Sequence, residues 1–193
     1  AQAKAAIEVH EMFRSAAILQ GADLANGFMG GRTDVMNATL EDKKEGAKNI
    51  ANAVKKYGAD SEIPIVLHLD HGKSVEQCMK AIQAGFTSVM LDGCELPYEE
   101  NVSLTKEMSG LAHMVDVSVE GEIGTIGVMS NSEEGGVEHV TYTKPEDVVD
   151  FVTKTGVDCL AIAIGTAHGI YPKGFVPKLQ LELLEKIQAV SPV

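Results

Sequence analysis

The hydrophobic positions of this chain fall into five short runs of mostly aliphatic residues, separated by segments with helical periodicity. Within the runs, apolar and polar residues alternate little, which is typical of parallel strands covered on both faces. The pattern therefore predicts an α/β protein with a parallel sheet. The five runs lie at 16–20, 63–70, 87–92, 115–123 and 159–165.

The segment after the second run has the signals of a helix that packs against a sheet. Ser74 and Gln77 have the spacing of a capping box, and apolar residues recur at i, i+3, i+4 and i+7 from Val75. Gly85 stands where a C-terminal cap belongs. The sequence thus predicts a helix between Ser74 and Gly85.

Two further helices are predicted towards the end of the chain. One opens at Thr143 and Pro145 and closes at Gly156, and the other starts within 177–190. Strands that alternate with helices indicate right-handed βαβ units and a parallel sheet. Both an open doubly wound sheet and a (β/α)8 barrel satisfy this order.

Polar residues at the strand ends favour the barrel. Asp70 with His71, Asp92, Glu122 and His168 stand at or just past the carboxyl ends of different predicted strands. A barrel gathers these ends onto one rim, where barrel enzymes assemble their active sites. No GxGxxG follows the first strand and no GxxxxGK[ST] occurs, which argues against the usual nucleotide-binding open sheets.

Two of these strand-end residues are candidate metal ligands. His71 and His168 are far apart in sequence but are expected to be neighbours in a barrel. Two imidazoles and a carboxylate suit zinc, and Asp70 beside a ligand could act as a general acid or base. None of the five runs contains a lysine for a Schiff base, so the residues favour a metal over covalent catalysis.

Several polar residues leave a structural alternative open. His68 is equally consistent with a core and a functional role, and Asp92 and Glu122, taken singly, could cap helices or stabilise loops. Glu133 and Glu134 lie in a Gly- and Ser-rich stretch that indicates a loop. That loop could carry a catalytic carboxylate or be merely solvated.

The composition and charge of the chain argue against nucleic acid and membranes as partners. The 193 residues include 16 Lys and Arg against 28 Asp and Glu, giving a formal charge of −12 that repels nucleic acid and anionic membranes. The chain has no apolar run long enough to span a membrane and no signal-peptide order at its start, so we expect a cytoplasmic protein. Three widely spaced cysteines indicate reduced, structural thiols.

Four motifs in order, HLDHG, VMLDG, VEGEIGTIG and AIGTAHGIYP, resemble those of the class II, zinc-dependent ketose-bisphosphate aldolases. The resemblance runs from about Ile18 to Ile187. It implies a (β/α)8 barrel of which this chain supplies about strands 2 to 6. It also implies a glycolytic lyase that cleaves fructose 1,6-bisphosphate to dihydroxyacetone phosphate and glyceraldehyde 3-phosphate, with tagatose bisphosphate as the alternative substrate.

The resemblance also implies roles for individual residues. Asp70 would be the acid/base acting on the C4 hydroxyl, with His71 and His168 as zinc ligands. Glu122 would hold the metal in an alternative, inward position, with Asp92 close by. These roles belong to the family and are carried over to the matching positions of this sequence.

Further roles follow from the same resemblance. Gly169 would use its backbone to bind the substrate phosphate or a monovalent cation, Na⁺ or K⁺. Glu134 would move the proton at C3 of the ketone product, although Glu133 competes for that role. Cys94 and Glu95 stand where the family commonly has Ser and His, and we interpret them as tolerated variation. Family members are dimers or tetramers, which implies a homodimer or homotetramer.

The family pattern extends past both ends of the sequence. Before RSAAILQ relatives have a first strand, where this sequence has at most a helix. After the segment matched here they have a seventh strand, which ends in the third zinc-binding histidine, and an eighth strand, which helps to hold the substrate. Residues 1–193 are therefore predicted to be one partial barrel domain with unpaired strand edges, which by itself would fold poorly or associate. Three explanations are open: part of a longer enzyme, a truncated chain that assembles with another copy, or a non-catalytic barrel subunit.

Overall fold

A computed structural model describes residues 1–128 and 140–193 of the chain. Helices and strands alternate in it, as the sequence predicts. The helices and strands, in chain order, are α1 (Gln2–Phe13), β1 (Ala17–Ala22), α2 (Asp23–Met29), a 3₁₀ turn (Val35–Asn37), α3 (Leu40–Gly58), β2 (Ile65–Gly72), α4 (Val75–Ala84), β3 (Ser88–Leu91), α5 (Tyr98–His113), β4 (Ser118–Ile123), β5 (Gly127–Val128), α6 (Pro145–Thr155), β6 (Cys159–Ile162), β7 (Ala167–His168) and α7 (Leu181–Gln188).

The chain divides into two compact units, one of residues 1–92 with 108–119 and the other of residues 93–107 with 120–193. In the first unit β1, β2 and β3 are neighbours and run parallel. The register of β1 on β2 extends without a break from Ala17 opposite Ile65 to Ala22 opposite Asp70. The predicted parallel α/β class is confirmed in this unit.

The core of the first unit forms between these strands and α4. Leu69 and Val89 on the strands are fully buried, as is Cys78 on α4. The Cys78 thiol donates to the carbonyl oxygen of Met90 at 3.4 Å, and burial raises the pKa of this thiol to about 12. Such a thiol is a structural group and a poor nucleophile, because the thiolate is the reactive form.

The ends of α4 test the predicted helix signals. The Ser74 hydroxyl accepts from the backbone N–H of Gln77, and Gly85 closes the helix at a φ of 109°, both as predicted. The reciprocal half of the predicted capping box is wrong. The Gln77 side-chain oxygen accepts instead from the backbone N–H of Lys73 at 2.9 Å, one residue before the cap.

The second unit contains two parallel strand pairs. β4 pairs with β6 from Glu120 opposite Cys159 to Ile123 opposite Ile162, and β5 pairs with β7. Helix α6 has Pro145 at its start and ends at Gly156, as predicted. The final helix begins at Leu181, within the predicted range 177–190. No helix within 1–128 or 140–193 has the length and apolar character of a membrane span.

Thr143 lies just before α6, where the sequence predicts the start of the helix, but it does not cap the helix. The N-cap residue of α6 is Lys144, which makes no side-chain cap bond, and Thr143 is buried. Its hydroxyl donates to the carbonyl oxygen of Ile123 at 2.6 Å and accepts from the backbone N–H of Ala163 at 2.8 Å. Thr143 therefore holds together the carboxyl ends of β4 and β6.

Replacing Thr143 with valine should lower the free energy of unfolding by about 2–6 kcal/mol, because two buried backbone groups lose a partner at roughly 1–3 kcal/mol each. Thr143→Ser keeps the hydroxyl and should lose much less. Urea unfolding of both variants followed by circular dichroism checks the difference. Equal losses in the two variants would contradict the role given to the hydroxyl.

Candidate active site

The end of β2 departs from a regular strand. The pairing of β2 with β3 shifts between Leu69 and Gly72, so that Asp70 and His71 together lie opposite Met90. His71 has a φ of 52°, in the left-handed region that residues other than glycine rarely adopt. Bulges and strained residues of this kind concentrate at functional sites, where they redirect a side chain.

The His71 imidazole is oriented by a carboxylate. Asp92, just past β3, is nearly fully buried, and its Oδ2 lies 2.9 Å from His71 Nδ1. Lys73 donates to the same oxygen at 2.5 Å. A carboxylate acceptor at Nδ1 favours the tautomer in which Nε2 carries the lone pair, which is the nitrogen a metal would use.

Asp70 lies next to that nitrogen. Its Oδ1 is 3.9 Å from His71 Nε2, so the carboxylate and the imidazole converge although the residues are adjacent in sequence. Regular strand geometry would send neighbouring side chains to opposite faces, and the bulge explains why these two converge. The first unit thus brings together three of the predicted site residues: Asp70, His71 and Asp92.

The donor set of the first unit fits a zinc ion. Zinc-binding histidines commonly donate their second ring N–H to a carboxylate, and the His71–Asp92 pair has this arrangement. Asp92, predicted among the metal residues, contacts His71 and Lys73 here, and its direct ligation stays a prediction. Sequence reasoning missed the role of Lys73, since its partner comes from another strand and no local pattern marks the contact.

Glu122 in the second unit is fixed through its backbone. The residue lies on β4, is 2% exposed, and its carbonyl oxygen accepts from the Asn101 side-chain amide at 2.8 Å. Asn101 is itself buried, and its side-chain oxygen accepts from the Thr105 hydroxyl. A carboxylate this deeply buried is held by positive groups or by a metal. Asn101 was not predicted, because it comes from α5 and belongs to no motif.

His168 lies in the two-residue strand β7, paired with β5. The residue is half-buried, and the following Gly169 is exposed with a φ of 97°. A side chain at this φ would be strained, so the position suits glycine, and its predicted contact with a phosphate or cation stays a prediction. Glu133 and Glu134 lie outside the described residues, and their predicted roles stay predictions.

His68, whose role the sequence left open, is buried on β2. Its Nδ1 lies 2.7 Å from the Ser88 hydroxyl on β3. This contact is of the kind that a histidine in a protein core makes.

The parallel strands and alternating helices define an α/β protein that has carboxylates and imidazoles at its strand ends. The family described as Fructose-bisphosphate aldolase class-II matches residues 1–193, and the chain belongs to that family. This confirms the resemblance found in the sequence. Aldolases are lyases, so the prediction that the chain belongs to a family of lyases is confirmed as well.

Individual relatives support the assignment. The chain is 48% identical over 131 residues to a 6-phospho-5-dehydro-2-deoxy-D-gluconate aldolase of Shouchella clausii, covering 68% of this chain and 43% of that protein. It is 45% identical over 148 residues to a fructose-bisphosphate aldolase of Geobacillus stearothermophilus, covering 76% of this chain and 50% of that protein. The chain therefore spans about half the length of these relatives.

A solved structure supports the fold. The YdjI aldolase of Escherichia coli K12 superposes with a TM-score of 0.75 and 27% identity, covering 99% of this chain and 60% of that chain. Together with the parallel strands and alternating helices, this likeness confirms the predicted fold class, part of a (β/α)8 barrel.

Proposed function

We propose that this protein is a zinc-dependent aldolase that reversibly cleaves fructose 1,6-bisphosphate to dihydroxyacetone phosphate and glyceraldehyde 3-phosphate. The observation that carries the proposal is the His71–Asp92 pair beside Asp70, in a chain that belongs to the class II aldolase family. An imidazole oriented for a metal and an adjacent carboxylate are the groups that a metal-assisted retro-aldol reaction needs.

The proposed metal ligands are His71 and His168, with Glu122 as the carboxylate of an alternative inward position and Asp92 as the carboxylate that orients or joins the ligand set. When bound, zinc would act as a Lewis acid toward the negative charge that develops on the ketone oxygen. Support comes from the orientation of His71, the burial of Glu122 and the family's resemblance at all four positions.

Three residues are proposed to act on the substrate. Asp70 takes the proton of the C4 hydroxyl as the bond between C3 and C4 breaks and returns it in the aldol direction. Glu134 moves the proton at C3 of the ketone product. The exposed backbone of Gly169 binds the substrate phosphate or a monovalent cation, Na⁺ or K⁺, and its left-handed φ supports close approach of such a group.

A second candidate substrate comes from the name of the Shouchella clausii relative. A 6-phospho-5-dehydro-2-deoxygluconate also carries a ketone next to a phosphorylated carbon, and retro-aldol cleavage would release dihydroxyacetone phosphate and 3-oxopropanoate. Tagatose 1,6-bisphosphate would give the same two products as the fructose ester, since it differs only in the configuration at C4. The three substrates thus share one product and differ in the aldehyde or in stereochemistry.

The test presents each of the three substrates separately to the purified protein and measures dihydroxyacetone phosphate together with the aldehyde formed. We expect kcat/KM to be highest for fructose 1,6-bisphosphate. A higher value for the deoxygluconate or the tagatose ester would change the substrate but keep the aldolase. Absence of cleavage of all three, with a stable zinc-free oligomer, would favour the non-catalytic barrel subunit.

Removal of the metal should abolish cleavage. Incubation with a chelator is expected to lower activity by at least about 100-fold, because the developing charge loses several kcal/mol of stabilisation, and added Zn²⁺ should restore it. Borohydride reduction in the presence of dihydroxyacetone phosphate serves as the control, since it traps only a lysine Schiff base. Inactivation by borohydride, or activity that survives chelation, would contradict the metal-dependent route.

We also propose a cytoplasmic homodimer or homotetramer. The support is the resemblance to the class II aldolase family. The charge of −12 gives no support to nucleic acid as a partner. Light scattering on the purified protein measures the number of copies.

A further inference from the structure

The backbone on both sides of His168 contains a glycine in the left-handed region. Gly165 and Gly169 flank the histidine, with φ values of 116° and 97°. Glycine in these conformations permits many neighbouring backbone geometries. The strand that carries His168 is only two residues long. A hydrogen bond to the backbone of this segment would help to fix where His168 lies.

The structure contains such a hydrogen bond. The backbone N–H of Ala167, directly before His168, donates to the hydroxyl oxygen of Tyr171 at 2.7 Å. This contact lies within one short turn of chain and is partly buried, so water competes less for the amide. The phenol thus fixes the peptide between Thr166 and Ala167, one residue before His168.

The Tyr171 ring is itself held in place. It stacks on the ring of Phe175 with the centroids 5.4 Å apart and the planes within 8° of parallel. The N–H of Phe175 bonds to the carbonyl oxygen of Pro172, which closes the turn between the two aromatic residues. The hydroxyl is therefore presented to Ala167 from a rigid ring and not from a freely rotating side chain.

We infer that Tyr171 is a positioning residue that orients His168 for metal binding through the hydrogen bond to the Ala167 N–H. The inference rests on the proposed function, in which His168 is a zinc ligand. Residues that hydrogen-bond to or orient metal ligands typically change metal affinity by about 10–100-fold when they are replaced. Tyr171 contacts the backbone next to the proposed ligand His168 and not the imidazole itself. Its replacement should therefore lower zinc affinity by about tenfold, at the lower end of this range.

The test measures zinc affinity by competition with a chromophoric chelator and the visible absorption of the Co²⁺-substituted protein. Tyr171→Phe keeps the ring stack and removes the hydroxyl, and it should weaken zinc binding about tenfold and shift the Co²⁺ bands. The matched control is Tyr57→Phe on α3. Within the described ranges its hydroxyl makes no hydrogen bond, and the change should leave both readouts unaltered.

A double-mutant cycle with His168→Ala shows whether Tyr171 acts through the histidine. Tyr171→Phe should cause no further loss of zinc affinity in the His168→Ala background. If His168→Ala weakens zinc binding but Tyr171→Phe stays within twofold of the parent, this inference fails and the proposed function stands. If His168→Ala itself leaves zinc affinity unchanged, the proposed ligand is wrong and the inference falls with it.

Phe175→Leu separates the hydroxyl from the packing of the ring. It removes the stack but keeps the Tyr171 hydroxyl, so it should weaken zinc binding less than Tyr171→Phe does. A larger loss in Phe175→Leu would overturn the inference, because packing of the turn and not the hydrogen bond would then orient His168. The Co²⁺ spectrum of a folded sample distinguishes either effect from a general loss of stability.

Discussion

Asp70→Asn should lower kcat for cleavage about 1,000-fold and leave zinc content unchanged, in the middle of the 10²–10⁴ range for general acid–base catalysis. Asparagine has nearly the shape of aspartate but cannot accept the proton of the C4 hydroxyl. The loss corresponds to about 4 kcal/mol of activation free energy. Substrate binding should change little, since the lost interaction belongs to the proton transfer step.

Zinc should stay bound in this variant because His71 is oriented from its other side. Asp92 contacts the Nδ1 of His71, whereas Asp70 lies 3.9 Å from Nε2. Asp92→Asn should therefore have the opposite effect. It should lower zinc affinity about 10–100-fold, while the proton transfer by Asp70 is not directly affected. The two substitutions make the same chemical change at neighbouring carboxylates and separate catalysis from metal binding.

Asp60→Asn is the matched control for both, because Asp60 is exposed and makes no ion pair or hydrogen bond among the described residues. A second readout is the exchange of the C3 proton of dihydroxyacetone phosphate with solvent. In Asp70→Asn this exchange should persist, since the proposed base at C3 is Glu134. Cleavage within tenfold of the parent, or exchange lost together with cleavage, would contradict the role proposed for Asp70.

The strands were predictable because each is a continuous apolar run that needs burial on two faces. The five predicted runs correspond to β1 to β4 and β6, with ends that differ by a few residues. Helix α4 was predictable from the hydroxyl of Ser74 and from Gly85, because both signals act within one turn of chain. The prediction failed at Gln77, where two backbone N–H groups compete for one side chain and local spacing cannot decide between them.

The residues of the candidate site were predictable from the sequence, but the contacts that orient them were not. Strand ends and residue types pointed to Asp70, His71 and Asp92, but the bulge in β2 that turns His71 towards Asp92 is a property of pairing with β3. The supports from Lys73 and Asn101 come from other segments of the chain and leave no local pattern. Both contacts form between segments that are distant in sequence, and a single sequence does not indicate which distant segments are in contact.

Gly46→Ala should destabilise the protein by about 3 kcal/mol, at the upper end of the usual cost of overpacking. Gly46 lies in the interior of α3, where glycine is normally about 1 kcal/mol worse than alanine. A methyl group there would lie 1.7 Å from the carbonyl oxygen of Asn26 on α2 and 2.8 Å from the backbone nitrogen of Gly30. Both are backbone atoms, so no side-chain rotation relieves the clash.

Gly110→Ala is also a substitution inside a helix, but it should have the opposite effect on stability. Gly110 lies inside α5, is exposed, and a methyl group there would meet no atom within 4 Å. Alanine should therefore stabilise the protein by up to about 1 kcal/mol through helix propensity alone. Urea unfolding of the two variants should give changes of opposite sign at similar m values.

The clash at Gly46 is expected to affect the candidate active site as well. Helix α2 follows β1 without a gap, and the last residue of β1, Ala22, pairs with Asp70. If α2 moves away from α3 to admit the methyl group, the strand end beside Asp70 moves with it. Gly46→Ala should therefore lower kcat as well as stability, whereas Gly110→Ala should leave kcat unchanged. A Gly46→Ala protein as stable as Gly110→Ala would mean that α2 and α3 do not approach closely at Gly46.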